Sequence, residues 1–381
     1  MIIEKFAQFH QIQLRTINTN RSCQWGIVGL FALFIAAGCG GNRNSVESSV
    51  SSHAPSVNSP NIKNNEKPIL VTSLLDVHSS EIKAEANKLL EAHNFTQIEK
   101  VADNYRRSQA MFIDGFWKLG HFYLGLVEVP DSAPDAEWEK RCELIRSWAT
   151  SNPKSITAQV ALARVYYEGA FRARGYDYAN NVSQSQWETM KQRLDEATKV
   201  LTNSASMRNQ CPGWYAVAQR VAFLKQRPLS EFDAITNEAL RYFPHYYDFY
   251  FEKTTYLMPR WFGKKGDWQK YAEEVADQMG GNDGDIFYAR ALWNMELMVD
   301  TENFVELSSF DWPRAKRGFN LLLNQPDSFA AAGAFARAAW LAKDHEQLKS
   351  LFDNQIQNHY DSDVWITEQE FQNAHNWAYT N

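Results

Sequence analysis

From about residue 69 onward the apolar residues recur at three- and four-residue spacing, and no run of alternating apolar and polar residues stands out. A chain patterned this way must fold as packed helices, because each apolar stripe can leave water only against another stripe. The broadest stripe runs from Ile156 to Arg172 and contains Val160, Leu162, Ala163, Tyr166, Tyr167 and Ala170. Capping patterns mark other helix starts: Ser185 with Glu188, Asp344 with Gln347, and Thr367 with Glu370. Asp267 is expected to cap a helix carrying Trp268, Tyr271, Ala272, Val275, Ala276 and Met279, with Gly280 and Gly281 ending it. About fourteen helices are expected on this reading.

Their order is roughly periodic. Pro212 to Pro244 is a step of 32 residues, and later helix pairs open near Gly284 and Asp327. The first step resembles the tetratricopeptide repeat, whose period is near 34, while the later steps of roughly 40 drift from it. One helix pair cannot bury its apolar face alone, so stacking is expected. The expected fold is all-α, an irregular tetratricopeptide-like helical-repeat solenoid (α/α) over residues 68–381. Two short motifs point the same way: Gly115, Trp117, Lys118 and Leu119 within Leu89–Gly125, and the run from Pro259, Arg260 and Trp261 to Trp268. They resemble an uncharacterised bacterial family with tetratricopeptide-like helices, over most of residues 80–345. That resemblance implies a fold and brings no activity with it.

Ahead of this part, Ile27 to Ala37 form an uncharged apolar run of 11 residues, preceded by Lys5, Arg15 and Arg21 against Glu4. As a helix it would rise only about 16 Å, short of the hydrocarbon thickness, so the order is that of a signal peptide. Ala37, Gly38 and Cys39 resemble the lipobox of bacterial lipoproteins, although Ala36 stands where Leu, Val or Ile is more usual. The resemblance implies cleavage after residue 38, acylation of Cys39 and anchoring by several acyl chains. Gly40, where an Asp would favour inner-membrane retention, points to the outer membrane facing the periplasm. Residues 39–67 are rich in Ser and Asn and have almost no large apolar residues. They are expected to be a solvated tether, spanning some 30 Å at roughly 5 to 6 Å times the square root of its length.

Losing the first 38 residues would take the formal charge from -6 to -8. A mildly acidic chain without a basic, aromatic-interleaved stretch argues against nucleic acid as a partner. Beyond Cys23 and Cys39 only Cys142 and Cys211 remain, expected as two separately buried thiols, with a disulfide in an oxidising compartment as the alternative.

Searches for chemistry return little. His345 and Glu346 lack a second histidine one turn on, Gly263 to Gly266 lack phosphate-loop spacing, and the residues after Asp285 offer few oxygens for calcium. No metal, cofactor or catalytic residue is expected. The densest constellation runs from His245 to Trp268, where Tyr246, Phe249 and Tyr250 share one helical face and Tyr247 and Phe251 another. If one face is exposed, His245, Tyr247, Tyr250, Arg260 and Trp261 would line a groove for a peptide or sugar. If neither is, this is an inner helix packed on both sides. The leading functional expectation is a non-enzymatic, membrane-tethered interaction module for an envelope protein or peptide. A glycan-binding lipoprotein is the alternative, and an envelope enzyme on a helical toroid, with His245, Tyr247 and Arg260 as reacting groups, a third.

Overall fold

The computed structural model describes residues 67–130, 132–175, 181–296, 310–365 and 367–380. The apolar run from Ile27, Cys39 and the tether up to residue 66 lie outside them. The described chain is helical: β1 (Ile69–Val71) is followed by α1 (Leu74–Glu91), α2 (Phe95–Ser108), α3 (Lys118–Val127), α4 (Asp135–Ser151) and α5 (Ile156–Arg174). Then come α6 (Gln184–Asn203), α7 (Pro212–Leu224), α8 (Leu229–Tyr242), α9 (Asp248–Tyr256) and α10 (Asp267–Met279). Last are α11 (Gly281–Glu296), α12 (Trp312–Leu323), α13 (Phe329–Leu341), α14 (His345–Leu351), β2 (His359–Asp361) and α15 (Glu368–Tyr379).

The caps explain most of these boundaries. Asp344 and Thr367 accept the backbone N–H groups of Gln347 and Glu370, at the positions the sequence marks. The capping box of α6 forms two residues earlier than Ser185 and Glu188 imply, between Ser183 and Gln186. Gly266, at φ 91°, takes the cap position before α10, so Asp267 becomes the first helical residue and its carboxylate accepts the Lys264 N–H at 2.7 Å. Gly280 ends α10 as expected. Gly281 does not extend that turn but opens α11, the two positive φ angles reversing the chain without a loop.

Two kinds of helix alternate. Helix α2 buries two of its fourteen residues and α8 three of fourteen, whereas α9 buries eight of nine and α13 eleven of thirteen. One-sided burial belongs to an outer layer, and burial all round to an inner one. The contacts agree: α1 packs on α3, α3 on α5, α5 on α7, α7 on α9, α9 on α11 and α11 on α13. Helix α13 then returns to α1, and β1 pairs in parallel with β2, Leu70 opposite Tyr360. An open solenoid touches only its sequence neighbours. Here the two ends meet, so seven helices, from α1 to α13, close into a ring through these contacts, with α1, four of its eighteen residues buried, the least covered of them.

Glycines set how tightly the ring closes. A Cβ on Gly125 of α3 would stand 2.4 Å from the Lys83 carbonyl oxygen of α1, and one on Gly318 of α12 would strike the Asp285 backbone of α11. The buried apolar residues from Ile82 to Ala378 form one contiguous cluster. Among the described residues no helix is long and apolar enough to cross a membrane.

Candidate functional site

Between α2 and α3 the chain makes a tight hairpin, in which Met111 bridges Trp117, the Phe112 N–H donates to the Phe116 carbonyl, and Gly115 turns the chain at φ 97°. This hairpin reaches across the ring. The Arg290 guanidinium of α11 donates to the Ile113 carbonyl at 2.8 Å, the Trp117 indole donates to the His245 carbonyl at 2.8 Å, and Phe116 packs on Phe251. The hairpin thus plugs the ring and presents Asp114 and Phe116 to a cavity.

That cavity leaves about 110 Å³ open to water centres, room for several waters or a small polar group. Its walls come from α1, α3, α5, α7, α9, α11 and α13, together with the plug and the turn after β2, and none of them from α2, α4, α6, α8, α10 or α12. It therefore lies at the centre of the ring. Phe116, Tyr123, Tyr246 and Trp293 supply aromatic surface, and the polar groups include Asp76, Asp114, Asp248, Asp361, Asp363, His121, Arg164 and Arg220.

The charges do not balance. Arg220 of α7 is already paired with Glu252 of α9 at 3.4 Å, and Arg164 with Glu168 of the same helix at 3.3 Å. Asp248 opens α9 and is only 8% exposed. The Tyr246 hydroxyl hydrogen-bonds it, while its Oδ1 has no hydrogen-bond partner among the described residues. Burial pushes Asp248 up to about 6, even against the favourable charge of Arg220. Burial, aided by the charges of Asp248 and Asp76, pushes Asp114 up to about 7, although it accepts the Phe116 N–H at 3.0 Å and lies near the Arg290 charge. Its remaining exposure is toward the cavity. His121 shares a 2.7 Å hydrogen bond with Ser79, and burial together with Lys83 and Arg164 pushes its ring down to about 3. It is neutral at ordinary pH.

The residues singled out from sequence lie elsewhere. Tyr247, Tyr250 and Trp261 are 8%, 9% and 4% exposed, and none of them, nor His245 or Arg260, reaches the cavity. Tyr247 and Tyr250 pack edge-on against Phe287, and Trp261 against Phe223. His245 is exposed and Arg260 is half-buried. The physical reason is that α9 is an inner helix, packed on both faces, so its aromatics fill space. Of the two readings for the cysteines, the separate thiols hold and the disulfide between Cys142 and Cys211 does not. Cys142 and Cys211 are free buried thiols, Cys142 beside Arg146 and Cys211 beside Tyr123 and Arg106.

A signal for the cavity does exist in the sequence: single charged or polar residues inside otherwise apolar helices, such as His121 in α3 and Arg220 in α7. Comparison with protein families, curated proteins and solved structures returns no match to this chain.

Proposed function

We propose that the chain is a lipid-tethered binding module of the bacterial cell envelope, whose central cavity receives the positively charged end of a peptide or protein segment. The observation that carries this reading is Asp248, a buried carboxylate facing the cavity with one oxygen unpartnered. Burying a carboxylate is costly unless a counter-charge meets it, and the two arginines in the wall already have glutamates. An ammonium or guanidinium between Asp248 and Asp114 would supply the missing charge, while Phe116 and Trp293 would cover its alkyl stem. The helix pairs are, in this proposal, tetratricopeptide-like repeats whose array has closed, placing recognition inside the ring and not on an open concave face. Acylation at Cys39 would hold the ring near a membrane, most simply the outer one, and intact mass of the purified protein tests it through cleavage after residue 38 with added acyl mass.

Binding is tested by titrating the chain in detergent with short lysine-containing peptides and with the same peptides acetylated on lysine. Tight binding of the charged form, at least tenfold weaker binding of the acetylated one, and loss of that difference in Asp248→Asn are expected. Equal affinity for both peptide forms would refute the charge-based reading.

Asp114 favours a second reading, an envelope enzyme. A carboxyl held near 7 at a cavity wall, with a second carboxylate nearby, has the properties of a general acid. Turnover of peptide or oligosaccharide substrates that disappears in Asp114→Asn would support it. The glycan-binding alternative loses the residues on which it rested, because Tyr247, Tyr250 and Trp261 are core.

A further inference from the structure

We infer that Asp76, Asp361 and Asp363 bind a divalent cation, best matched by calcium, at the seam where the two ends of the helical ring meet. The inference goes beyond the peptide reading, since it uses different carboxylates at a different part of the cavity wall.

The topology makes the juxtaposition. Asp76 lies in the first turn of α1, fixed by Ser73, whose hydroxyl caps the helix through the Asp76 N–H and donates to Asp76 Oδ2 at 2.8 Å. Asp361 ends β2, and parallel pairing with β1 sets it opposite Val71, just ahead of α1. Asp363 follows in the next turn, its N–H donating to Asp361 Oδ1 at 2.9 Å. One ligand atom from each of the three carboxylates lies within 4.8 Å of the others. Calcium takes oxygens at about 2.3–2.6 Å in a flexible sphere that tolerates ligands drawn from separate elements, whereas magnesium, at about 2.0–2.1 Å, demands a stricter octahedron and gives up its waters reluctantly.

Proximity of acids alone would not carry a site. The second observation is the state of Asp361, whose side chain is 2% exposed and whose Oδ2 has no hydrogen-bond partner among the described residues. Two occupants would satisfy such an oxygen: a proton shared with Asp76, or a hard cation drawing all three carboxylates together. The cation uses all three carboxylates where the proton uses two, and a donor set of oxygens alone suits a hard cation such as calcium. Ligands from α1 and from β2 would make the ion a clasp across the ring's closure.

The test uses the full chain in detergent after treatment with a chelator. Calorimetric titration with calcium chloride is expected to show one ion per chain, and the unfolding midpoint to rise with free calcium up to millimolar concentrations. Asp361→Asn should weaken calcium at least tenfold while melting, without calcium, no lower than the wild-type chain, because the amide removes the repulsion within the cluster. If that variant does not fold, Asp363→Asn is expected to give the same loss of calcium response. Asp248→Asn should leave calcium binding unchanged, which keeps this result separate from the peptide test. Absence of any calcium response would overturn the inference in favour of the shared proton, and tighter binding of magnesium than calcium would overturn the choice of ion.

Discussion

The indole N–H of Trp117 donates to the backbone carbonyl of His245 across 2.8 Å, joining the hairpin that plugs the ring to the turn that opens α9. The same indole packs edge-on against Tyr246 at 5.0 Å, so one side chain positions both the plug and a wall of the cavity. Trp117→Phe should keep most of the packing and lose the hydrogen bond, costing about 1 kcal/mol. Trp117→Ala removes both and should cost about 3–5 kcal/mol. Urea unfolding monitored by far-ultraviolet circular dichroism separates the two, and a Trp117→Phe midpoint equal to that of the unaltered chain would show that the indole N–H contributes nothing.

The approach of α3 to α1 rests on Gly125. A methyl group there meets the backbone of Lys83 and not a movable side chain, so the helices must part. Gly125→Ala is expected to destabilise the chain by about 1–3 kcal/mol despite the better helix propensity of alanine. A neutral or stabilising result in denaturant unfolding would mean that the two helices have slack.

These positions show what a linear reading reaches. The helices, the caps at Asp344 and Thr367 and the termination at Gly280 follow from interactions within a few residues, and all are legible from spacing and residue type. The capping box of α6 slips because Ser183, Ser185, Gln186 and Glu188 offer two overlapping solutions, and only the chain's path into α6 chooses between them. Ring closure is of another kind. It depends on α13 meeting α1 and on strands of three residues at positions 69 and 359, too short to carry a periodic pattern. The cavity acids share that fate, since Asp76, Asp114, Asp248 and Asp361 become neighbours only after closure. His245 drew attention as a side chain, but the hydrogen bond it makes to the plug is through its backbone oxygen.

Arg337 of α13 is fully buried between two glutamates. It donates twice to Glu370 Oε1, at 3.2 and 3.0 Å, and to the Glu296 carbonyl at 2.8 Å, with the Glu296 carboxylate 3.8 Å away. Burial holds Glu296 well above the usual carboxylate range, against the pull of Arg337. Arg337→Met strands the two acids and should cost about 3–5 kcal/mol. Replacing Glu370 with Met in the same chain should recover part of that loss, because paired charges removed together leave less uncompensated charge behind. Additive losses in the double variant, read from denaturant midpoints, would show that the residues act independently.

The cavity's titrating groups give stability two opposed dependences on pH. Asp114 and Asp248 are held at about 7 and about 6, above the ordinary value near 3.9, so between those limits the folded chain keeps protons that the unfolded chain releases. Their contribution is complete below about pH 4 and is lost as pH rises through 6 and 7. His121 is pushed down to about 3 from an ordinary value near 6.5, so there the unfolded chain holds the extra proton. Its contribution is complete above about pH 6.5 and is lost as pH falls toward 3. Asp114→Asn should therefore raise the unfolding temperature more at pH 7 than at pH 4. His121→Gln should flatten the acid limb and leave the neutral limb in place. Unfolding temperatures measured across this range check both, and a profile that Asp114→Asn leaves unchanged would mean that its carboxyl titrates in the folded ring as it does in water.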